Sequence, residues 1–232
     1  MEQIYMIPVN EAFDEAIKEN TCTCPLCLMH KRLENKEVDI ALGPAMMEPT
    51  TRIETNEKGF CKEHYGMMLE KNNKLSLALI LESHLGTVKD KMNGSFLKNL
   101  IVPKHKSQLK TVGALKESCY ICEKVEYHFS RMIETTVYLY SYESAFKDKL
   151  KRQRVFCLPH YERMVEYAKN KLDKKKFDEF YGDLSRVQSE YFDKIIKDVS
   201  WFCKKFDYRY DSEPWYDSRD AVERAIELLC GK

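Results

Sequence analysis

The sequence has almost no net charge: 38 basic residues face 37 acidic ones over 232 positions. Divided after Leu115, the balance is 15 against 15 and then 23 against 22. Neither half is therefore a bulk electrostatic module for nucleic acid or an anionic membrane. Long apolar runs are also lacking. The longest, Leu75 to Leu81, is interrupted by Ser76 and falls far short of the about 18 residues that span a bilayer. Met1 to Asn20 carries Glu2, Glu11, Asp14, Glu15 and Glu19 and no apolar core, so it does not read as a secretory signal. These features lead us to expect a cytoplasmic protein. Glycine (8) and proline (7) are scarce, against averages of about 7% and 5%, and that scarcity favours continuous helices over turns.

What is present agrees. Leu184, Val187, Tyr191, Phe192, Ile195, Ile196, Val199, Phe202 and Phe206 recur at steps of three and four, the signature of a long amphipathic helix. Met67, Met68, Leu75, Leu79 and Leu81 through Leu85 repeat the pattern, as do Val125, Phe129, Met132 and Ile133. Only Thr135 to Tyr142 leans towards β by composition, and we place it on a helix too. The expected fold class is all-α.

Nine cysteines in a reducing compartment call for metal ligation or reactive thiols rather than disulfides. Their spacing repeats. Cys24-x-x-Cys27 precedes Cys61-x-x-His64 with 33 residues between, and Cys119-x-x-Cys122 precedes Cys157-x-x-His160 with 34 between. The first pair maps to its counterpart by a shift of 95 and the second by 96, so a single insertion relates two halves. Gly59-Phe60 matches Val155-Phe156, and His64-Tyr65 with Met68 matches His160-Tyr161 with Met164. The expected organisation is a first zinc-binding repeat over 1–100, a connector over 101–117 containing Pro103 and Gly113, and a second repeat over 118–232. That second repeat would carry the long helix and an aromatic C-terminal segment.

Three thiolates and one imidazole complete a tetrahedral zinc shell. The natural sets are Cys24, Cys27, Cys61 and His64, and Cys119, Cys122, Cys157 and His160, two Zn2+ per chain, each stapling a helical hairpin within its own half. A Cys-x-x-Cys or Cys-x-x-His pair at a helix start puts both side chains on one face, and the positive helix end favours thiolate. Thr23 and Ser118 are the expected N-caps. Iron competes, since thiolates also hold iron–sulfur clusters, but one histidine per set makes zinc more natural. A thioredoxin-like role for Cys24-Pro25-Leu26-Cys27 would need a βαβ setting that the sequence lacks. Closed four-ligand shells are structural, so no catalytic residue is assigned.

Other candidates read more blandly. His30 has Val125 as its counterpart and fits a place beside the ligands rather than among them. His84, near Glu82, has Phe180 as its counterpart and fits a structural histidine. Arg52 and Glu54 are placed to buttress the loop before Cys61. Cys22, Cys203 and Cys230 have no partners under the repeat. The basic stretch from Lys147 to Arg154 and the run Lys174 to Lys176 fit solvated faces. The aromatics Phe206, Tyr208, Tyr210, Trp215 and Tyr216 suit either core or a recognition surface.

Cys24-Pro25-Leu26-Cys27, Arg52 to Asn56 running into Gly59-Phe60-Cys61, Phe156-Cys157-Leu158-Pro159-His160, and Phe206 to Arg209 with Pro214-Trp215 together resemble an uncharacterised bacterial, Firmicutes-type family of unknown function. The likeness runs from Thr21 to Leu229. It implies a cytoplasmic bacterial protein with duplicated metal-binding halves and brings no activity or substrate. The departure within this chain is Val155 in place of Gly59. The expected function is that of a zinc-binding module acting on an unidentified protein partner, without a membrane. A thiol/zinc redox or metal-responsive switch, a metal-dependent enzyme and a nucleic-acid binder are the alternatives.

Overall fold

The computed structural model describes residues 3–18, 23–43, 47–93, 109, 112–113 and 117–231. Cys22 and most of the expected connector 101–117 lie outside them. Among the described residues every regular element is helical: α1 (Met6–Lys18), α2 (Pro25–Leu42), α3 (Pro49–Lys58), α4 (Lys62–Glu70), α5 (Lys74–Asn93), α6 (Tyr120–Tyr142), α7 (Ser144–Lys151), α8 (Leu158–Lys171), α9 (Lys174–Lys204) and α10 (Ala221–Cys230), with 3-10 turns at Gln3–Tyr5, Tyr208–Tyr210 and Tyr216–Ser218. The all-α expectation holds. No helix among the described residues is long and apolar enough to cross a membrane.

Two compact units emerge, and they are not successive halves of the chain. One comprises Met1–Lys31 with Phe129–Lys232, the other Arg32–His128. Each is therefore described separately.

In the first unit α9 is the spine. It starts where Asp173 accepts a bond from the Lys176 amide (2.9 Å), an N-cap that satisfies one orphan donor. Phe180, Leu184, Val187, Tyr191 and Ile195 then form its buried stripe, as the period-3.6 pattern requires. The β-leaning stretch Thr135 to Tyr142 does lie on α6. Thr135, Thr136 and Ser141 tolerate that helix because each hydroxyl donates to the carbonyl four residues back, at 2.8 Å. α1 docks on α7 through Phe13, whose ring lies 4.8 Å from Phe146 and 6.2 Å from Phe156. Gln153 donates to the Phe13 carbonyl at 3.0 Å.

The segment after α9 folds around Lys205. Its buried ammonium donates to the carbonyls of Tyr210 (2.6 Å), Asp211 (3.0 Å) and Glu213 (2.6 Å), using all three donors. The chain thus turns back into α10, which packs on α9 through Ala221 and Leu228 against Tyr191, Ile195 and Val155. Arg224 pins this contact, donating to Asp198 and Asp220 at 3.0 Å each and to the Asp217 carbonyl.

In the second unit α3 and α4 pack on α5, which buries Leu77, Ile80 and His84. Asn73 donates to the Leu42 carbonyl at 2.8 Å, and Phe60 meets Tyr65 and Tyr120 edge-on at 5.4 and 6.2 Å.

Phe13 is fully buried between two other phenylalanines. Phe13→Ala should cost about 3–5 kcal/mol through lost transfer energy and the cavity left behind, read as a fall in the urea midpoint; a cost below about 1 kcal/mol would show that α1 is not part of the first unit's core.

Candidate metal centres

All eight ligands expected from the sequence come together in two groups of four, but crossed. Cys24 and Cys27 meet Cys157 and His160, while Cys61 and His64 meet Cys119 and Cys122. The pairing within each half, Cys24/Cys27 with Cys61/His64 and Cys119/Cys122 with Cys157/His160, is thereby corrected. Each complete group lies within one of the two units. The physical reason is helix length. At 1.5 Å per residue, α2 carries the chain about 23 Å away from Cys27, and the returning α3 has only 10 residues; α6 runs about 30 Å from Cys122, and the following α7 has only eight. Hairpins so uneven do not bring a pair back to its sequence neighbour.

The local construction is as expected: each group is two helix starts converging. The Cys24 and Cys119 carbonyls accept the first bonds of α2 and α6, from Leu28 (3.2 Å) and Glu123 (3.1 Å). Cys61 and Cys157 are the N-caps of α4 and α8. The cysteines themselves therefore occupy the cap positions assigned from sequence to Thr23 and Ser118. Ser118 instead donates to the Lys58 carbonyl at 2.7 Å. At α6 the Cys119 sulfur takes over the capping role, accepting from the Cys122 amide at 3.5 Å. Helix-end dipoles and amides aimed at the sulfurs favour anionic thiolates at both groups.

In the first group His160 Nδ1 lies 3.1 Å from Cys157 Sγ, 3.4 Å from Cys27 Sγ and 3.8 Å from Cys24 Sγ, and Cys27 and Cys157 are 3.6 Å apart. The Cys24, Cys27 and Cys157 side chains are buried. Hydrogen bonds from Cys157 and Cys24 hold the Cys27 thiol far below its ordinary range, while burial pushes Cys24 up. One thiolate is thus shared by two thiols. Phe129 lies 5.0 Å from the His160 ring, and His30 stands 6.3 Å from it, beside the ligands and outside the group. The end of α10 covers the sulfurs. Arg224, Glu227 and Leu228 line a small cleft with Cys24, Cys27 and Cys157, and a Cβ added at Gly231 (φ +80°) would sit 3.5 Å from Cys157 Sγ.

In the second group His64 Nδ1 lies 3.1, 3.3 and 3.4 Å from the sulfurs of Cys61, Cys119 and Cys122, and Cys61 and Cys122 are 3.9 Å apart. His64 Nε2 faces Glu34 at 3.5 Å, a carboxylate that orients the ring with Nδ1 towards the sulfurs. Burial disfavours the imidazolium, but the Cys119 sulfur and Glu34 outweigh it and raise His64 to about 10. Burial likewise opposes the Cys119 thiolate, yet His64 and the Cys122 amide pull it down to about 6. Cys119 is buried, Cys61 is partly exposed and Cys122 is exposed.

Arg52 and Glu54 bond helices rather than the loop before Cys61: Arg52 donates to Ser83 (3.1 Å), tying α3 to α5, and Glu54 pairs with Lys124 (3.2 Å), tying α3 to the start of α6. Lys58 pairs with Glu123 on the same side. His84 is structural, donating from Nδ1 to the Asn56 carbonyl at 2.8 Å. It also explains Gly59. That residue has φ +63°, and a Cβ there would lie 2.6 Å from His84 Nε2. Val155, at the matching position before Phe156-Cys157, has no positive φ, and its side chain joins the α9–α10 core. Glu34 and the covering Gly231 carry no signal in the sequence: six residues separate Glu34 from Cys27, a spacing that marks no ligand shell.

Cys203 and Cys230 are exposed free thiols outside both groups.

Gly59→Ala should destabilise the second unit by more than about 1 kcal/mol, because it adds both left-handed strain and a collision with His84. In a double-mutant cycle, His84→Ala should recover the steric part of that loss; strict additivity of the two urea-midpoint shifts would sink the assigned contact.

Neither a curated protein nor a solved structure matches the chain. Over residues 1–232 it matches the model of DUF6062, a family of unknown function. The duplicated Cys-x-x-Cys and Cys-x-x-His pairs, gathered crosswise at four helix starts, belong to a member of that family.

Proposed function

We propose that the chain is a cytoplasmic zinc protein in which Cys24, Cys27, Cys157 and His160 hold one ion and Cys61, His64, Cys119 and Cys122 a second. Both centres serve to hold the fold, and the protein acts by binding a partner protein rather than by turnover. The observation that carries this reading is the closeness of each donor set: all four ligand atoms lie within 4.8 Å of one another. Zinc bonds of about 2.3 Å to sulfur and 2.0–2.1 Å to nitrogen, set tetrahedrally, place donors about 3.5–3.8 Å apart. The separations of 3.1–3.9 Å bracket that range, and every donor pair falls within 4.8 Å. An iron–sulfur cluster would hold its ligands further apart around several metal atoms.

With three sulfurs and one nitrogen supplied by the chain, no coordination position is left for substrate or water, which supports a structural role. Binding of such an ion contributes about 10–16 kcal/mol in small zinc domains, enough to fix the helix starts on which the sulfurs stand. The exposed rings of Phe206, Tyr208 and Tyr216, held on the loop that Lys205 organises, are surface that the core does not use and support contact with another protein.

Metal analysis by mass spectrometry of protein purified without added metal should find two zinc ions per chain, and iron would sink the reading. The crossed pairing has its own test. Cys24→Ser with Cys157→Ser damages one centre under this assignment and should leave one zinc, whereas pairing within each half would leave none. Because thiolates and neutral imidazole are the binding forms, zinc should be retained at neutral pH and lost as the pH falls, with protons released when it is added back. A pH-independent zinc content would contradict thiolate ligation.

A further inference from the structure

The two groups share a donor set and differ in their cover. At the first, α10 lies over the sulfurs, held by Arg224, and Cys24, Cys27 and Cys157 are at most 5% exposed. At the second, Cys119 is buried but Cys122 is open to solvent and Cys61 partly so. The two accessible sulfurs are also neighbours, 3.9 Å apart, and they stand on different helix starts, α6 and α4.

We propose that the second centre is a hydroperoxide-sensitive zinc switch in which Cys122 is attacked first and Cys61 resolves it to a disulfide, while the first centre stays closed. The proposal rests on the two-zinc reading above and adds a division of labour between the sites. The chemistry balances with hydrogen peroxide as oxidant. The Cys122 sulfur attacks one peroxide oxygen, the O–O bond breaks, and hydroxide leaves a sulfenic acid on Cys122. The Cys61 sulfur then attacks the Cys122 sulfur, an S–S bond forms and a second hydroxide leaves. Two electrons pass from the sulfurs to the peroxide, and two protons convert the hydroxides to water. The sulfurs close from 3.9 Å to about 2.05 Å.

Only Cys119 and His64 then remain as ligands, too few for a zinc shell, so the ion is released. The starts of α4 and α6 exchange a metal link for a covalent one and stay joined. Zinc release is therefore separated from unfolding. Thiol reductant and zinc together reverse the change.

The test uses the full chain with Cys22→Ser, Cys203→Ser and Cys230→Ser, which removes the thiols outside both groups and keeps all eight ligands. The zinc-loaded protein is titrated with hydrogen peroxide, with zinc release followed by a chromogenic chelator, helicity by circular dichroism and bonds by peptide mass mapping. The expected result is loss of one of two zinc ions, a Cys61–Cys122 disulfide, reduced Cys24, Cys27 and Cys157, unchanged helicity, and recovery on adding dithiothreitol and zinc. Release of both ions together, release of neither at a tenfold excess of peroxide, or a disulfide between other cysteines would overturn the switch while leaving the two-zinc reading intact. Fewer than two zinc ions before oxidation would overturn both.

Discussion

Four helix starts, each opening on a cysteine, carry the rest of the structure. A helix N-terminus offers unsatisfied amides and a partial positive charge, which favour an anionic sulfur. Cys24, Cys61, Cys119 and Cys157 all occupy that position, and their partners at +3 stand one turn further on the same side. Two such starts facing each other concentrate three sulfurs and an imidazole in a space suited to one ion. Without a cation, the sulfurs are crowded and share protons unevenly, with Cys27 and Cys119 favoured as thiolates and Cys24 and Cys122 as thiols. Each group is a candidate shell for one metal ion.

The crossed pairing has a consequence for the units. One is assembled from the two ends of the chain, 1–31 and 129–232, and its group joins Cys24 and Cys27 to Cys157 and His160 across some 130 residues of sequence. Contacts between such distant segments form only after a large loop-closure cost. The first candidate centre gathers side chains from both ends of the chain, whereas the second unit, 32–128, closes a shorter loop between Cys61 and Cys119.

Different surroundings give identical donor sets different access. The first group is sealed by a helix that follows the Lys205 loop, so its closure depends on Arg224, on Leu228 and on a glycine at 231 that comes near the sulfurs. The second is braced from behind, by Glu34 on His64 and by His84 against Gly59, and stays open at Cys122.

Much of this was legible in the residues. The scarcity of glycine and proline, the apolar steps along Leu184 to Phe202, and the repeated spacing of Cys24, Cys27, Cys61 and His64 in Cys119, Cys122, Cys157 and His160 are local properties, and they pointed to the helices and to the eight residues of the candidate metal groups. His84 read as a structural group, and the structure bonds it to the Asn56 carbonyl 28 residues away; Arg52 and Glu54 lie just before Cys61, but their partners, Ser83 and Lys124, stand on other helices. Which pairs meet is not local. It depends on how far α2 and α6 carry the chain and on how the shorter α3 and α7 return, quantities that a spacing of 33 or 34 residues does not encode. At α6 the cap moved from Ser118 to Cys119, whose sulfur accepts the Cys122 amide while Ser118 bonds the Lys58 carbonyl. Glu34 behind His64 and Gly231 over Cys157 were likewise decided only when separate helices packed, since contact across elements is set by their relative placement and leaves no periodic mark in the chain.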